Sequence, residues 1–371
     1  MLLGVFSPRK SQRIKYSTSV RGGYTSSSFA NYKLPPTIVN ALVSAGNNSL
    51  ALNTWETYKT AERHLLRCEV DTGVKMRFPM TDRMVLAFVG WLISVRKVGA
   101  ASIKKYLSGL RTVHLKHGSM PGNLRPDLVN AVIRGREQEL NKEKIPRLAM
   151  TLPVLKLLKK LISMTSWSLE QKRLLWVVCT MAFHGSFRIH ELLSKNVTCF
   201  DPTTTLLGND VRLVNTKLDG KEEEILVVHL KSPKEEKLSQ GVRVELFSTG
   251  TFSCPVRAWK SWRILTKGSL CPTKPVFRFP DGRCMTGAFF NMELKSLLGK
   301  YFNYDAGKYL SHSFRAGMAS MMALAGYTDE AIMRQGRWNS SAFLVYCKTG
   351  RANRLRDQRE LARNLANVAN K

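Results

Sequence analysis

His312 and Arg315 stand three apart in residues 311–346, SHSFRAGMASMMALAGYTDEAIMRQGRWNSSAFLVY, so a helix opening there puts both on one face of its first turn. Backbone N–H groups and the positive end of the helix dipole gather at the same place. Two cationic side chains added to them suit a phosphate. The stretch reads as three short helices. Gly326 can close the first in a left-handed cap and Thr328 can open the second. Ser340 can cap a third, which carries Phe343 and Tyr346 on one side and ends at Gly350. Another pair at the same spacing, Arg188 and Glu191 in FRIHELL, presents a guanidinium with a carboxylate able to orient it. Each feature alone has a blander reading. A tyrosine on an apolar face is usually core, and a surface i,i+3 ion pair contributes only about 0.2–0.5 kcal/mol.

In order, H-x-x-R, then G-R-W, then Tyr346 eight positions after Trp338 resemble the C-terminal signature of the tyrosine recombinases. The family pattern adds an arginine in an R-x-x-E-L helix and a lysine beside a β-hairpin. Arg188 with Glu191 matches the first. Lys234 matches the second, with Lys231 on the other side of Pro233 as the alternative. The match covers about residues 150–350. HSFRAGMAS, GRWNS and CPVRAW further resemble recombinases of eukaryotic mobile elements of the Crypton-like and DIRS-like kinds.

The resemblance implies strand cleavage and rejoining on DNA through a 3′-phosphotyrosine link, with no metal, ATP or other cofactor. Arg188 and Arg315 would neutralise the nonbridging oxygens, because a planar fork donates bidentately and stays charged. His312 would hydrogen-bond a phosphate oxygen or assist proton movement at Tyr346, the nucleophile. Trp338 replaces the histidine often found at its position. Its indole N–H can donate to phosphate but cannot shuttle a proton. Lys234 would protonate the departing 5′ hydroxyl. Two other readings share parts of this pattern: a type IB topoisomerase, and a DNA-binding protein that keeps the fold without the chemistry.

Composition points to the same partner. The chain has 371 residues and a formal net charge of +31, which calls for a polyanion. Residues 1–147 carry 24 Lys and Arg against 9 Asp and Glu, and the remainder 34 against 18, so both halves are basic rather than one tail. No apolar run approaches the roughly 20 residues of a membrane helix, which predicts a soluble protein without a membrane partner. The seven cysteines are odd in number and scattered, with no C-x-x-C, so reduced thiols and no structural metal are expected in an intracellular, if eukaryotic nuclear, protein.

The elements that must position these groups follow in chain order. Residues 1–34 hold no acid and read as a flexible basic arm. Residues 35–140 form a helical core-binding domain, with Lys104, Lys105, Arg111 and Lys116 turned outward from the helix 101–117 as DNA-backbone contacts. Residues 141–150, polar and proline-containing, are the linker. Residues 151–350 form the catalytic domain, with helices at 152–164, 169–184, 187–195, 255–267 and 286–301. Between them VRLVNT, EILVVHL and VRVELF predict three antiparallel strands. Residues 351–371 repeat leucines at helical spacing. By the resemblance, this helix docks on a neighbouring protomer in a dimer or tetramer on DNA. The expected fold is mainly α with a small antiparallel β-sheet: a two-domain DNA clamp made of a helical core-binding domain and an α+β catalytic domain.

Overall fold

The computed structural model describes residues 23–50, 52–143, 148–231, 241–266, 270–299 and 306–345. The chain divides into two compact units, Met1–Lys144 and Ile145–Lys371. It is mainly helical, with one three-stranded antiparallel sheet.

The first unit contains α1 (Pro36–Asn48), α2 (Leu52–Thr72), α3 (Asp82–Ser94), α4 (Ala100–Lys116) and α5 (Asp127–Glu143). Its core gathers one apolar face from each of four helices. Leu65 of α2, Phe88 and Leu92 of α3, Ile103 and Leu107 of α4, and Val129 and Ile133 of α5 are all buried together.

The second unit opens with α6 (Leu152–Ser163) and α7 (Leu169–His184), then α8 (Ile189–Leu192). The sheet follows as β1 (Val211–Leu218), β2 (Lys221–Leu230) and β3 (Val242–Phe247), paired in the order β1-β2-β3. Asp219 and Gly220, with φ of 48° and 78°, make the two-residue turn between β1 and β2, where both positions must be left-handed. Leu226, Val228 and Leu230 alternate onto the core face of β2, and Val244 and Leu246 do so on β3. Then come α9 (Pro255–Leu265), α10 (Gly287–Gly299), α11 (His312–Leu324) and α12 (Asp329–Gly336), with a final 3-10 turn at Ser341–Val345. Trp259 and Trp262 of α9 pack edge-to-face at 5.5 Å inside the core, and Phe290 of α10 meets Phe314 of α11 at 5.6 Å.

Two local expectations change. The helix expected over 187–195 shrinks to the single turn of α8, because Leu193 turns extended (φ −108°, ψ 148°) and Ser194 bridges to Thr286. The third helix expected after Ser340 is a 3-10 turn whose Phe343 is buried beside Trp338, at 5.9 Å between rings. The segment 141–150 is helical as far as Glu143, and its far end belongs to the second unit. Met150 is fully buried there and its N–H donates to the Ser313 carbonyl at 2.8 Å. An apolar side chain at the end of that segment finds a pocket in the adjacent core.

That last contact sets a tight tolerance on α11. A Cβ on Gly317 would lie 2.1 Å from the Met150 carbonyl oxygen, which is backbone and has no rotamer to change. Gly317→Ala is therefore expected to destabilise the chain by about 1–3 kcal/mol through overpacking. A thermal melt reads this as a midpoint lowered by at least about 2 °C.

Candidate active site

The site grows from the C-terminus of a helix. The last carbonyls of α7 have no partner within the helix and carry the negative end of its dipole, so they attract donors and cations. Gly185 donates back to the Met181 carbonyl at 2.9 Å. Phe187 donates to Ala182 at 3.2 Å, which closes α7 with Ser186 in a left-handed conformation (φ 46°). A Cβ at Gly185 would come within 2.2 Å of the Phe187 ring, so glycine here lets that ring fold back into the core.

The carbonyls of this turn then receive donors from α11 and the end of α12. Gln335 Nε2 donates to His184 O at 2.6 Å, and Arg337 Nη1 donates to Gly185 O at 2.9 Å. Ser186 O accepts from Arg315 Nη1 at 2.7 Å and from Arg337 Nη2 at 3.3 Å. Arg315 is 1% exposed, and its guanidinium lies 4.2 Å from the centre of the Trp338 ring. The stacking depends on Gly336, where a Cβ would stand 1.7 Å from the indole. His312, one turn before Arg315 on α11, is half-buried.

Arg188 enters from the other side of the turn as the N-cap residue of α8. Glu191 Oε1 accepts from Arg188 Nη1 at 3.0 Å, and its Oε2 accepts from the Arg188 backbone N–H at 2.9 Å. The same Oε2 accepts from Arg337 Nη2 at 2.9 Å. This buried carboxylate thus orients two guanidinium groups, and the pair is not the exposed i,i+3 bridge of the blander reading. Three guanidiniums and an imidazole therefore share elements that meet at residues 184–186, although the sequence spreads them over 188–337. Such a cluster in a partly buried place favours an anion with several oxygens.

Other expected site residues fall elsewhere. Lys234 and Tyr346 lie outside the described residues, as do the arm up to residue 22 and the segment 351–371. Lys231 is tied down: its ammonium pairs with the buried Asp210 at 2.8 Å and donates to Pro202 O at 3.0 Å. That makes it a staple between the end of β2 and the loop before β1. On α4, Lys105 and Arg111 are exposed, whereas Lys104 pairs with Glu137 at 3.0 Å. Lys116 departs from the outward placement. It is mostly covered and reaches Glu62 at 3.3 Å, where His117 also approaches at 3.6 Å. Burial would push the Glu62 carboxyl up, but hydrogen bonds from His117 and the charge of Lys116 outweigh it and hold the carboxyl low. Among the described residues no cluster of His, Cys, Asp and Glu could hold a metal, and no helix is long and apolar enough to cross a membrane.

Arg337 and Gln335 were not among the expected site residues. Arg337 does stand inside the G-R-W motif. Its conformation and its reach back to α7 depend on tertiary contacts that no local spacing encodes.

The imidazole at the end of α7 makes the unit acid-sensitive. Burial pushes His184 down to about 4, with its Nε2 3.1 Å from Ser253 Oγ. The folded value lies below the unfolded one of about 6.5, so the unfolded chain binds the proton first as pH falls. His184 therefore contributes full stability above about pH 6.5, and the contribution is lost toward pH 4, with about 2 kcal/mol gone by pH 5. Urea midpoints at pH 7 and pH 5 check this, and His184→Gln should flatten the difference.

No protein-family model matches the sequence, and no curated protein is similar to it. Among solved structures, the chain is similar to XerH site-specific recombinase bound to a palindromic difH substrate in a post-cleavage complex. That likeness has a TM-score of 0.53 at 14% identity and covers 90% of this chain and 86% of that one. It is also similar to the Tn1549 transposon integrase in complex with a circular intermediate DNA, with a TM-score of 0.53 at 13% identity over 86% of this chain and 96% of that one. The mainly helical fold with one three-stranded sheet is thus shared with these recombinase and integrase structures.

Proposed function

We propose that the chain is a DNA recombinase or integrase that cuts and rejoins strands through a 3′-phosphotyrosine intermediate, in the service of a mobile element. The observation that carries this is the meeting of Arg188 and Arg315, 127 positions apart, at one helix end, with His312 a turn away on the same helix as Arg315. The XerH recombinase of this fold is bound to its difH substrate and the Tn1549 integrase is in complex with DNA, and the +31 charge here suits the same kind of partner.

Cleaving a phosphodiester without a metal requires neutralised nonbridging oxygens, an aimed nucleophile and a proton for the leaving oxygen. Arg188 and Arg315 supply the first, their forks set by Glu191 and by the Ser186 carbonyl with the Trp338 ring. Tyr346 attacks the phosphorus and its phenol oxygen becomes the ester oxygen. The 5′ oxygen leaves with a proton from Lys234, while His312 hydrogen-bonds the phosphate or takes the phenol proton. Attack of another strand's 5′ hydroxyl on the phosphotyrosine reverses the step and reseals the backbone. Trp338 acts mainly as the platform under Arg315. Lys105 and Arg111 hold the backbone through the first unit. Exchange between duplexes requires a dimer or tetramer, joined through residues 351–371.

The test is direct. The full chain is incubated with a library of random-sequence DNA duplexes in EDTA and denatured, and any DNA still attached is sequenced. DNA joined by its 3′ end at a common sequence supports the proposal. Absence of attached DNA, or attachment that needs magnesium, overturns it.

A further inference from the structure

We propose that Arg337 is a positioning residue that locks the phosphate-binding arginines, by clamping Glu191 to the turn at Gly185 and Ser186. The inference rests on the phosphotyrosine reading above and adds a group which that reading does not use.

The first support is conformational. Arg337 is the C-cap of α12 and sits at φ 52°, ψ 51°. Left-handed backbone favours glycine, or asparagine, whereas a long side chain there is strained. The opposing residue, Ser186, is also left-handed at φ 46°, and Arg337 Nη2 donates to its carbonyl. Two such positions facing each other through a hydrogen bond persist only where the surrounding contacts hold them.

The second support is what the guanidinium reaches. One nitrogen binds Gly185 O, and the other binds both Ser186 O and Glu191 Oε2. The group also lies over the Phe187 ring at 5.0 Å. These acceptors are the ones that orient its neighbours. Ser186 O holds Arg315 and Glu191 holds Arg188, so Arg337 joins two otherwise separate anchor points. Gln335 adds a tie to His184 O from the same stretch of chain. A single ammonium cannot span three acceptors set by a planar fork, so the arrangement selects arginine over lysine.

The variant Arg337→Gly separates fold from function, because it relieves the backbone while removing the fork. Three quantities are measured on a duplex captured by the native chain: melting midpoint, DNA affinity at fixed salt, and single-turnover rate of covalent adduct formation. The midpoint should stay within about 4 °C of native, and affinity, set by many backbone contacts, within about threefold. The adduct rate should fall by about 10²-fold, as expected of misplaced groups. In a Glu191→Gln background the same change should cost less than about threefold more, because both changes release the one clamp between Glu191 and the turn. Arg337→Lys keeps the charge and the strained backbone, and should be slowed by more than about tenfold. A native rate in either Arg337 variant, or a full additional loss on top of Glu191→Gln, overturns the inference. A native chain that forms no adduct overturns the phosphotyrosine reading instead, so the two failures are distinct.

Discussion

Tyr346→Phe is expected to bind DNA with native affinity and to leave no covalent adduct on a denaturing gel. The change removes one oxygen, so it leaves charge and apolar surface almost untouched. If that oxygen is the nucleophile, no other group takes its place, and loss of a nucleophile costs on the order of 10⁴ to 10⁶ in rate. The phenol's ordinary pKa of about 10 leaves it mostly neutral at pH 7. On the proposed function, its reactivity would come from cations near the phosphate, which lower the cost of the phenolate character that develops during attack. Band-shift titration checks the affinity, and a radiolabelled duplex run in SDS checks the adduct. An adduct of native yield in this variant would remove Tyr346 from the chemistry.

The second large effect belongs to Arg315→Lys. Arg315 is buried, its Nη1 donates to Ser186 O at 2.7 Å, and its face rests on Trp338. Lysine keeps the charge but loses both the fork and the flat surface, so it cannot bind one acceptor while presenting parallel donors to two phosphate oxygens. Losing one preorganised donor to a developing anion costs about 2.7–4 kcal/mol, or about 10²–10³ in rate. Single-turnover cleavage should slow by that factor, while affinity, spread over many phosphate contacts, changes little. Arg315→Ala removes more. It also opens a cavity beneath Trp338, so part of its loss would be a folding defect of about 2–5 kcal/mol. A lysine variant that cleaves at the native rate would show that bare charge suffices at this position.

Much of this architecture was legible in the chain. Helical spacing predicts an apolar stripe of Phe289, Phe290, Leu294 and Leu297, of which α10 buries all but the half-buried Phe289, and the β-like run EILVVHL predicts β2. The Asp-Gly turn, the Thr328 cap, which accepts from Ala331 N, and the left-handed Gly326 each have a local cause in residue type. The Arg188–Glu191 pair was readable because three-residue spacing needs no long-range information.

What could not be read depends on partners far along the chain. Lys116 looks outward on a helical wheel, but Glu62 on α2 draws it in. Lys231 looks like a loop lysine, but Asp210 holds it. A helix over 187–195 is plausible until Thr286 captures Ser194 in a bridge. Gly317 seems an ordinary small residue in α11 until Met150 passes within contact of it.

By itself the sequence determined the element types, the strong positive charge and the residue kinds able to handle a phosphate, because these rest on local periodicity, caps and ionisation. Only the tertiary structure decided that the end of α7 is where Arg188, Arg315 and Arg337 meet, and that a buried Glu191 binds two of them. The reason is physical. A helix end exposes carbonyls that must be satisfied, and which distant guanidinium satisfies them is settled by packing, not by spacing along the chain.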